Sequence, residues 1–116
     1  MDKELQKDLK KLANPEKAKI FGRFFKTGKG EYGEGDKFLG IMTGPIRELA
    51  RKYKDLPFPD LQKLLNGQYH EERSLALQIL LKQFKKADEK KRKEIFDFYL
   101  KKILHNPCFN QLPFLQ

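Results

Sequence analysis

Tryptophan is absent from the 116 residues of this chain, and cysteine and histidine are nearly so. The single cysteine, Cys108, excludes an internal disulfide framework and is typical of a reducing cytoplasm, where we expect the protein to be. His70 and His105 are far apart in sequence, and one nearby cysteine leaves too few ligands for a structural zinc site. The sequence therefore predicts no metal centre.

Patterns typical of membrane proteins and of nucleotide-binding proteins are also missing. No apolar run is long enough to span a bilayer, and the first thirteen residues lack the apolar core of a secretory signal. Gly28, Lys29 and Gly30 superficially resemble a phosphate loop, but the full GxxxxGK(S/T) pattern is absent and no strand precedes them. We therefore expect no membrane contact and no nucleotide, and no organic cofactor is implied.

Acidic residues are outnumbered, with 16 Asp and Glu against 25 Lys and Arg, so the net charge is +9. A basic balance favours a polyanion as partner, because neutralising phosphates releases their condensed counterions. Residues 82–102 are the most basic part, with nine bases and four acids. Their central basic residues flank a turn between two helices, and we interpret them mainly as a source of solubility. These residues are Lys85, Lys86, Lys90, Lys91, Arg92 and Lys93.

What the sequence does contain is a series of helical patterns and no alternating stretch of strand length, which predicts an all-α fold. Asn14 is a candidate N-cap followed by Pro15 at the first helical position. Thr43 and Asp88 are candidate N-caps for later helices. The predicted apolar faces are Leu5, Leu9, Leu12 and Ala13; Ala18, Phe21, Phe24 and Phe25; Ile46, Leu49, Ala50 and Tyr53; Leu61, Leu64 and Leu65; Leu77, Leu80, Leu81 and Phe84; and Ile95, Phe98, Tyr99 and Leu100.

The helices are expected to pair across short turns, 43–54 with 58–66 and 70–85 with 89–104, which is the layout of a helical-repeat protein. Residues 1–104 then form one helical domain. Residues 105–116 form an irregular apolar tail, which either folds back over the open end of the domain or covers a partner. Self-association through this tail is one such outcome, because an uncovered apolar end promotes association.

The stretch Asn14–Ile41, NPEKAKIFGRFFKTGKGEYGEGDKFLGI, resembles the N-terminal part of the AlkD-like DNA alkylation repair glycosylases. Residues 70–73 and 94–100 are similar to the same family. The resemblance implies a right-handed superhelix of antiparallel, HEAT-like helix pairs. It also implies that the partner is double-stranded DNA carrying alkylated bases, and that the protein works in the bacterial cytoplasm.

The glycine-rich loop in this stretch is a candidate contact for the DNA backbone. Its glycines let main-chain amides approach phosphate, Lys26, Lys29 and Lys37 supply charge, and Tyr32 is suited to pack on a sugar. The alternative is a solvent loop between repeats that Tyr32 anchors to the core.

Arg47 and Arg51 share one face of the following helix and are candidates to bind a phosphate together. The alternative is a surface ion pair with Glu48 or Asp55. Phosphate binding and the surface ion pair are both compatible with the same helical spacing, so the sequence does not decide between these two interpretations.

By resemblance, Phe24 and Met42 lie nearest the lesion, where some family members have tyrosine and glutamine. Met42 cannot make a strong hydrogen bond. The family's catalytic tryptophan and aspartate follow the helix ending near Leu100, and residues 101–116 contain neither, so no catalytic residue is carried over.

We expect sequence-independent DNA binding by a truncated or degenerate relative. The alternatives are an active glycosylase completed by other residues or a second chain, and a protein-interaction scaffold.

Overall fold

A computed structural model describes the backbone of residues 3–24 and 37–105 and the side chains of 3–23 and 37–101. Within those residues the chain forms six helices and no strand, so the prediction of an all-α fold is confirmed. Lys37 and Tyr69 form an isolated parallel bridge. None of the helices described is long and apolar enough to cross a membrane. The helices are α1 Lys3–Leu12, α2 Pro15–Phe24, α3 Thr43–Lys52, α4 Phe58–Leu65, α5 His70–Lys86 and α6 Glu89–His105.

Two of the three predicted N-caps are confirmed. Asn14 Oδ1 accepts hydrogen bonds from the amides of Glu16 and Lys17, each at 3.1 Å, and Asp88 Oδ1 accepts one from the Lys91 amide at 2.8 Å. Thr43 was predicted as a cap and is instead the first helical residue of α3. The N-cap is the preceding methionine, whose side chain accepts no capping hydrogen bond.

Helix α5 is the centre of the packing, since α3, α4 and α6 all pack against it. The predicted pairing of residues 70–85 with 89–104 is therefore confirmed. The predicted pairing of 43–54 with 58–66 is wrong, because α4 packs on α5 rather than on α3. The reason is that α5 buries side chains around much of its circumference and so offers an apolar face to each neighbour: Leu75, Ala76, Leu77, Ile79 and Leu80.

Most of the predicted apolar positions that the structure describes are buried and three are exposed, while the side chains of Phe24 and Phe25 lie outside the described residues. All predicted positions on α3 and α4 are buried. Leu12, Leu81 and Leu100 are exposed by 38%, 54% and 39%. On α2 the predicted Ala18 and Phe21 are only partly buried, because this helix lies at the edge of the described core.

The carboxylate of Glu71, in the first turn of α5, is 3% exposed and binds the connector formed by residues 37–41. Its Oε1 accepts a hydrogen bond from the Leu39 amide at 2.8 Å. Its Oε2 accepts from the amides of Gly40 at 2.9 Å and Ile41 at 3.2 Å. One buried carboxylate thus satisfies three consecutive main-chain donors, which would otherwise be costly to bury.

The same connector is held from two further sides. The Asn14 amide donates to Leu39 O at 2.8 Å, and the His70 amide donates to Lys37 O at 2.8 Å. Gly40 has a φ of 84°, in the left-handed region that favours glycine. The connector therefore ties the beginning of α2 to the beginning of α5.

Helix α1 is held against α3 by a polar cluster at the surface. The Tyr53 hydroxyl donates to Asp8 Oδ2 at 2.7 Å, and the Lys52 ammonium donates to the same oxygen at 2.9 Å. Lys52 also lies 3.1 Å from Glu4 Oε1. Burial, followed by the hydrogen bond to Asp8, raises the pKa of Tyr53 to about 12. The cluster joins two helices that are far apart in sequence.

Protonating Asp8 is expected to weaken this contact. The hydrogen bond from Tyr53 and then that from Lys52 hold the pKa of Asp8 below its ordinary value. Such a carboxylate stabilises the fold above its unfolded pKa of about 3.9 and loses that contribution as the pH falls through the lower folded pKa. The difference in free energy of unfolding between the wild type and Asp8→Asn should therefore be present at neutral pH and shrink below about pH 4. Urea titrations across this range measure it.

The control for losing one negative charge is Asp97→Asn on the exposed surface of α6. A difference for Asp8→Asn that stays constant from neutral to acidic pH would contradict the role given to the ionised carboxylate.

The pH dependence of the Tyr53 contribution has the opposite sign. Because its pKa is raised in the fold, Tyr53 adds stability below about pH 10, and this stability is lost as the pH rises through about 12.

Candidate nucleic-acid interface

An apolar groove of about 380 Å³ lies where α3 and α5 begin. The Phe38 ring packs on the His70 ring at 5.0 Å, and Phe21 meets Phe38 edge-on at 6.0 Å. Met42 is 49% exposed at the same groove, so the structure brings this predicted lesion-proximal residue to an open apolar surface. The other lining residues are Ile20, Ile41, Thr43, Ile46, Glu71, Ser74 and Gln78.

A second, basic groove of about 1110 Å³ lies where α3 and α5 end. The two helices therefore run side by side in the same direction, with one groove at each end. Among the residues that the structure describes, Asp55 is the only acid that lines the basic groove. The cations that line it are Arg51, Lys54, Lys82, Lys85, Lys86 and Lys91.

Two side chains hold the turns of the basic groove in place. The Gln83 amide donates to Lys54 O and to Leu56 O, both at 2.9 Å, and so ties α5 to the turn after α3. The Arg92 guanidinium donates to Phe84 O at 3.0 Å and to Lys85 O at 3.3 Å, and so ties α6 to the end of α5. The positions of the lysines are thus set by fixed main chain.

Lys91 makes two contacts that hold its side chain at the groove. Its ammonium lies 4.5 Å from the centre of the Phe58 ring, which in turn stacks on Phe98 at 4.8 Å. Glu94 Oε2 lies 3.4 Å from the same ammonium. The half-exposed side chain of Lys91 is therefore held at the wall of the groove.

The ion pair that was the alternative for Arg51 is present, since its Nη1 lies 3.0 Å from Glu48 Oε1. Both side chains are about two-thirds exposed, at 66% and 70%. Exposed pairs of this kind contribute little free energy, so a phosphate can replace the carboxylate. The pair therefore does not prevent Arg51 from serving the basic groove.

The structure separates the other predicted DNA contacts. The exposed Arg47 lies one helical turn before Arg51 and lines neither groove. Lys37 is exposed near the beginning of α5, at the opposite end from the basic groove. Phe24 ends α2, and its side chain lies outside the described residues. Lys26, Lys29 and Tyr32 also lie outside the described residues, in backbone as well as side chain.

Most of the basic groove was missed from the sequence. Lys54 and Lys82 were not among the predicted contacts, and Lys85, Lys86 and Lys91 were interpreted as a source of solubility. The spacing of Lys82, Lys85 and Lys86 does place them on one helical face, which was an available signal. Their proximity to Arg51 depends on the packing of α3 on α5, which no local pattern indicates. In the described part of the chain, no three metal-ligating side chains are grouped as an ion would require.

Comparison with known proteins gives one assignment. No curated protein and no solved structure matches the chain. The family model described as "DNA alkylation repair enzyme" matches residues 5–107, a range that includes most of α1 and all of α2 to α6. The resemblance carried by the connector and by the beginning of α5 is thereby confirmed, and the chain belongs to the DNA alkylation repair enzyme family.

Proposed function

We propose that the protein binds duplex DNA without regard to base sequence, as a cytoplasmic relative of the alkylation repair enzymes. The observation that carries this proposal is the basic groove, whose described lining includes six cations and one acid. Lysines that neutralise phosphates release condensed counterions, which favours binding to any duplex. Contacts to phosphate position the protein but do not distinguish one base from another.

The two grooves give the proposed interface its length. Helix α5 has 17 residues, so its ends are about 24 Å apart, the length of about seven base pairs. Arg47 lies on α3 between the two ends. We propose that the phosphate backbone contacts Arg51 at the basic end, Arg47 in the middle and Lys37 at the other end. Lys26, Lys29 and Tyr32 of the preceding loop are proposed to extend the contact beyond Lys37.

The proposal assigns no catalytic residue to this chain. The positions nearest the lesion by resemblance are Phe24 and Met42, and neither side chain carries a carboxylate or transfers a proton. The sequence contains no tryptophan. We therefore propose that this relative has the family's DNA-binding scaffold, a right-handed superhelix of HEAT-like pairs, in degenerate form.

Removing three cations from the basic groove is expected to weaken DNA binding. Lys54, Lys85 and Lys86 are exposed, so changing all three to Gln alters charge with little effect on packing. The plot of log affinity against log salt should become shallower by about 1 for each phosphate that the variant no longer neutralises. Fluorescence anisotropy with a duplex longer than about 12 base pairs, measured over a salt series, gives this slope.

The matched control changes Lys90, Lys93 and Lys101 to Gln. These residues are exposed on α6 and do not line the groove, yet their loss lowers the net charge equally, from +9 to +6. Equal slopes for the two variants would contradict the groove as the interface. Absence of salt-dependent DNA binding by the wild type would favour a protein-interaction scaffold. Release of alkylated purines from the duplex would instead show an active glycosylase.

A further inference from the structure

A third groove, of about 370 Å³, lies between α5 and α6 and is apolar. Leu81 is 54% exposed and Phe96 is 52% exposed at its two walls. Leu100 is 39% exposed one turn further along α6. Large apolar side chains exposed together on a small domain mark a surface that another apolar segment covers. The remaining lining residues are Leu77, Leu80, Phe84, Ile95 and Tyr99.

The chain itself contains a segment suited to this groove. Residues 106–116, NPCFNQLPFLQ, lie outside the described residues and contain no charged side chain, although 35% of the whole chain is charged. The segment follows directly on α6, which forms one wall of the groove. Its composition therefore fits a neutral, apolar surface far better than it fits the lysine-rich surface elsewhere. Its large apolar residues are Phe109, Leu112, Phe114 and Leu115.

We propose that residues 106–116 occupy the α5/α6 groove of their own chain. The distance allows this, because Ile95 and His105 are about 15 Å apart along α6 and eleven extended residues span up to about 36 Å. Pro107 favours departure from the helical path soon after α6 ends. This inference does not depend on the proposed function, since none of the described cations assigned to DNA lines the groove.

Occupation by the same chain is favoured over occupation by a second copy. A segment tethered by a few residues has an effective concentration in the millimolar range at its own groove. Separate molecules reach that concentration only in very concentrated solution. Because the groove and the segment are both joined to α6, docking within one chain is favoured over docking between two chains at ordinary protein concentrations.

The single native cysteine allows a direct test. In the full chain, Leu81→Cys and Phe96→Cys each place a thiol at the groove, and Cys108 of the segment is the only other thiol. Mild oxidation is expected to give an intramolecular disulfide in both variants, detected by mass and by migration as a monomer. The control is Lys10→Cys on the exposed face of α1, and the groove variants should react at least about tenfold faster.

Each result decides the proposal. Rates equal to that of Lys10→Cys would overturn it, because a segment that is not docked meets all surface thiols by chance. Disulfide-linked dimers formed in preference to monomers would also overturn it and identify a second copy in the groove. Two groove positions are used so that one destabilised variant does not decide the outcome, and circular dichroism confirms that each variant is folded.

Discussion

Gly40→Ala is expected to lower the free energy of unfolding by about 2–5 kcal/mol. Gly40 has a φ of 84°, where a residue with a Cβ is strained by about 1–2 kcal/mol. A Cβ at this position would overlap the carbonyl oxygen of Asn14 and lie 2.7 Å from the amide nitrogen of Ala18. These are main-chain atoms at the start of α2 and cannot move without displacing the helix. Overpacking of this kind adds about 1–3 kcal/mol, and the sum is a large part of a stability of about 5–15 kcal/mol.

Gly44→Ala is the matched control for this prediction. Gly44 is the second residue of α3, and an added Cβ there meets nothing within 4 Å. Alanine is favoured over glycine within a helix by about 0.5–1 kcal/mol, so this variant should be as stable as the wild type or slightly more so. Thermal and urea unfolding followed by circular dichroism compare the two. Similar stabilities for both variants would show that the connector can move away from α2.

Glu71→Ala is expected to destabilise the fold by about 3 kcal/mol or more. The change leaves the partly buried amide of Leu39 and the buried amides of Gly40 and Ile41 without their acceptor, and each unsatisfied buried donor costs about 1–3 kcal/mol. Glu71→Gln retains the shape but replaces one carboxylate oxygen by an amide nitrogen that faces a donor. It should lie between the wild type and Glu71→Ala. Urea unfolding at neutral pH gives the three free energies.

Glu48→Gln serves as the control for removing a carboxylate from this protein. Glu48 is exposed and pairs only with an exposed arginine, so its loss should change stability by less than about 0.5 kcal/mol. A Glu71→Gln variant as stable as Glu48→Gln would show that the connector does not need the negative charge. Intermediate stability of Glu71→Gln, with Glu71→Ala lower still, is the pattern that follows from the hydrogen bonds observed.

The elements that the sequence predicted well depend on contacts between residues that are close together in the sequence. The N-caps Asn14 and Asp88 act on amides two or three positions away, and the buried face of α3 repeats with the helical period. Thr43 failed as a cap because a suitable side chain is not sufficient. The helix begins one residue earlier than a threonine cap requires, with Met42 in the extended conformation.

The elements that could not be predicted depend on contacts between distant residues. Glu71 lies in the first turn of α5, where acids are common, but its carboxylate accepts hydrogen bonds from amides 30–32 positions earlier. The packing of α4 likewise depends on whether its apolar face fits better against α3 or against α5. For the site, the sequence pointed to Arg51, whereas the five lysines that line the same groove come from three separate places: the turn after α3, the end of α5 and the beginning of α6.

The hydrogen bonds of Gln83 and Arg92 have a consequence for the electrical potential of the basic groove. The carbonyls at the end of a helix lack partners within the helix and carry a partial negative charge, which repels an approaching phosphate. Here the carbonyls of Lys54, Phe84 and Lys85, at or just beyond the ends of α3 and α5, already accept hydrogen bonds from these two side chains. An anion that enters the groove therefore meets the lysine charges where three of these carbonyls already have a hydrogen-bond donor.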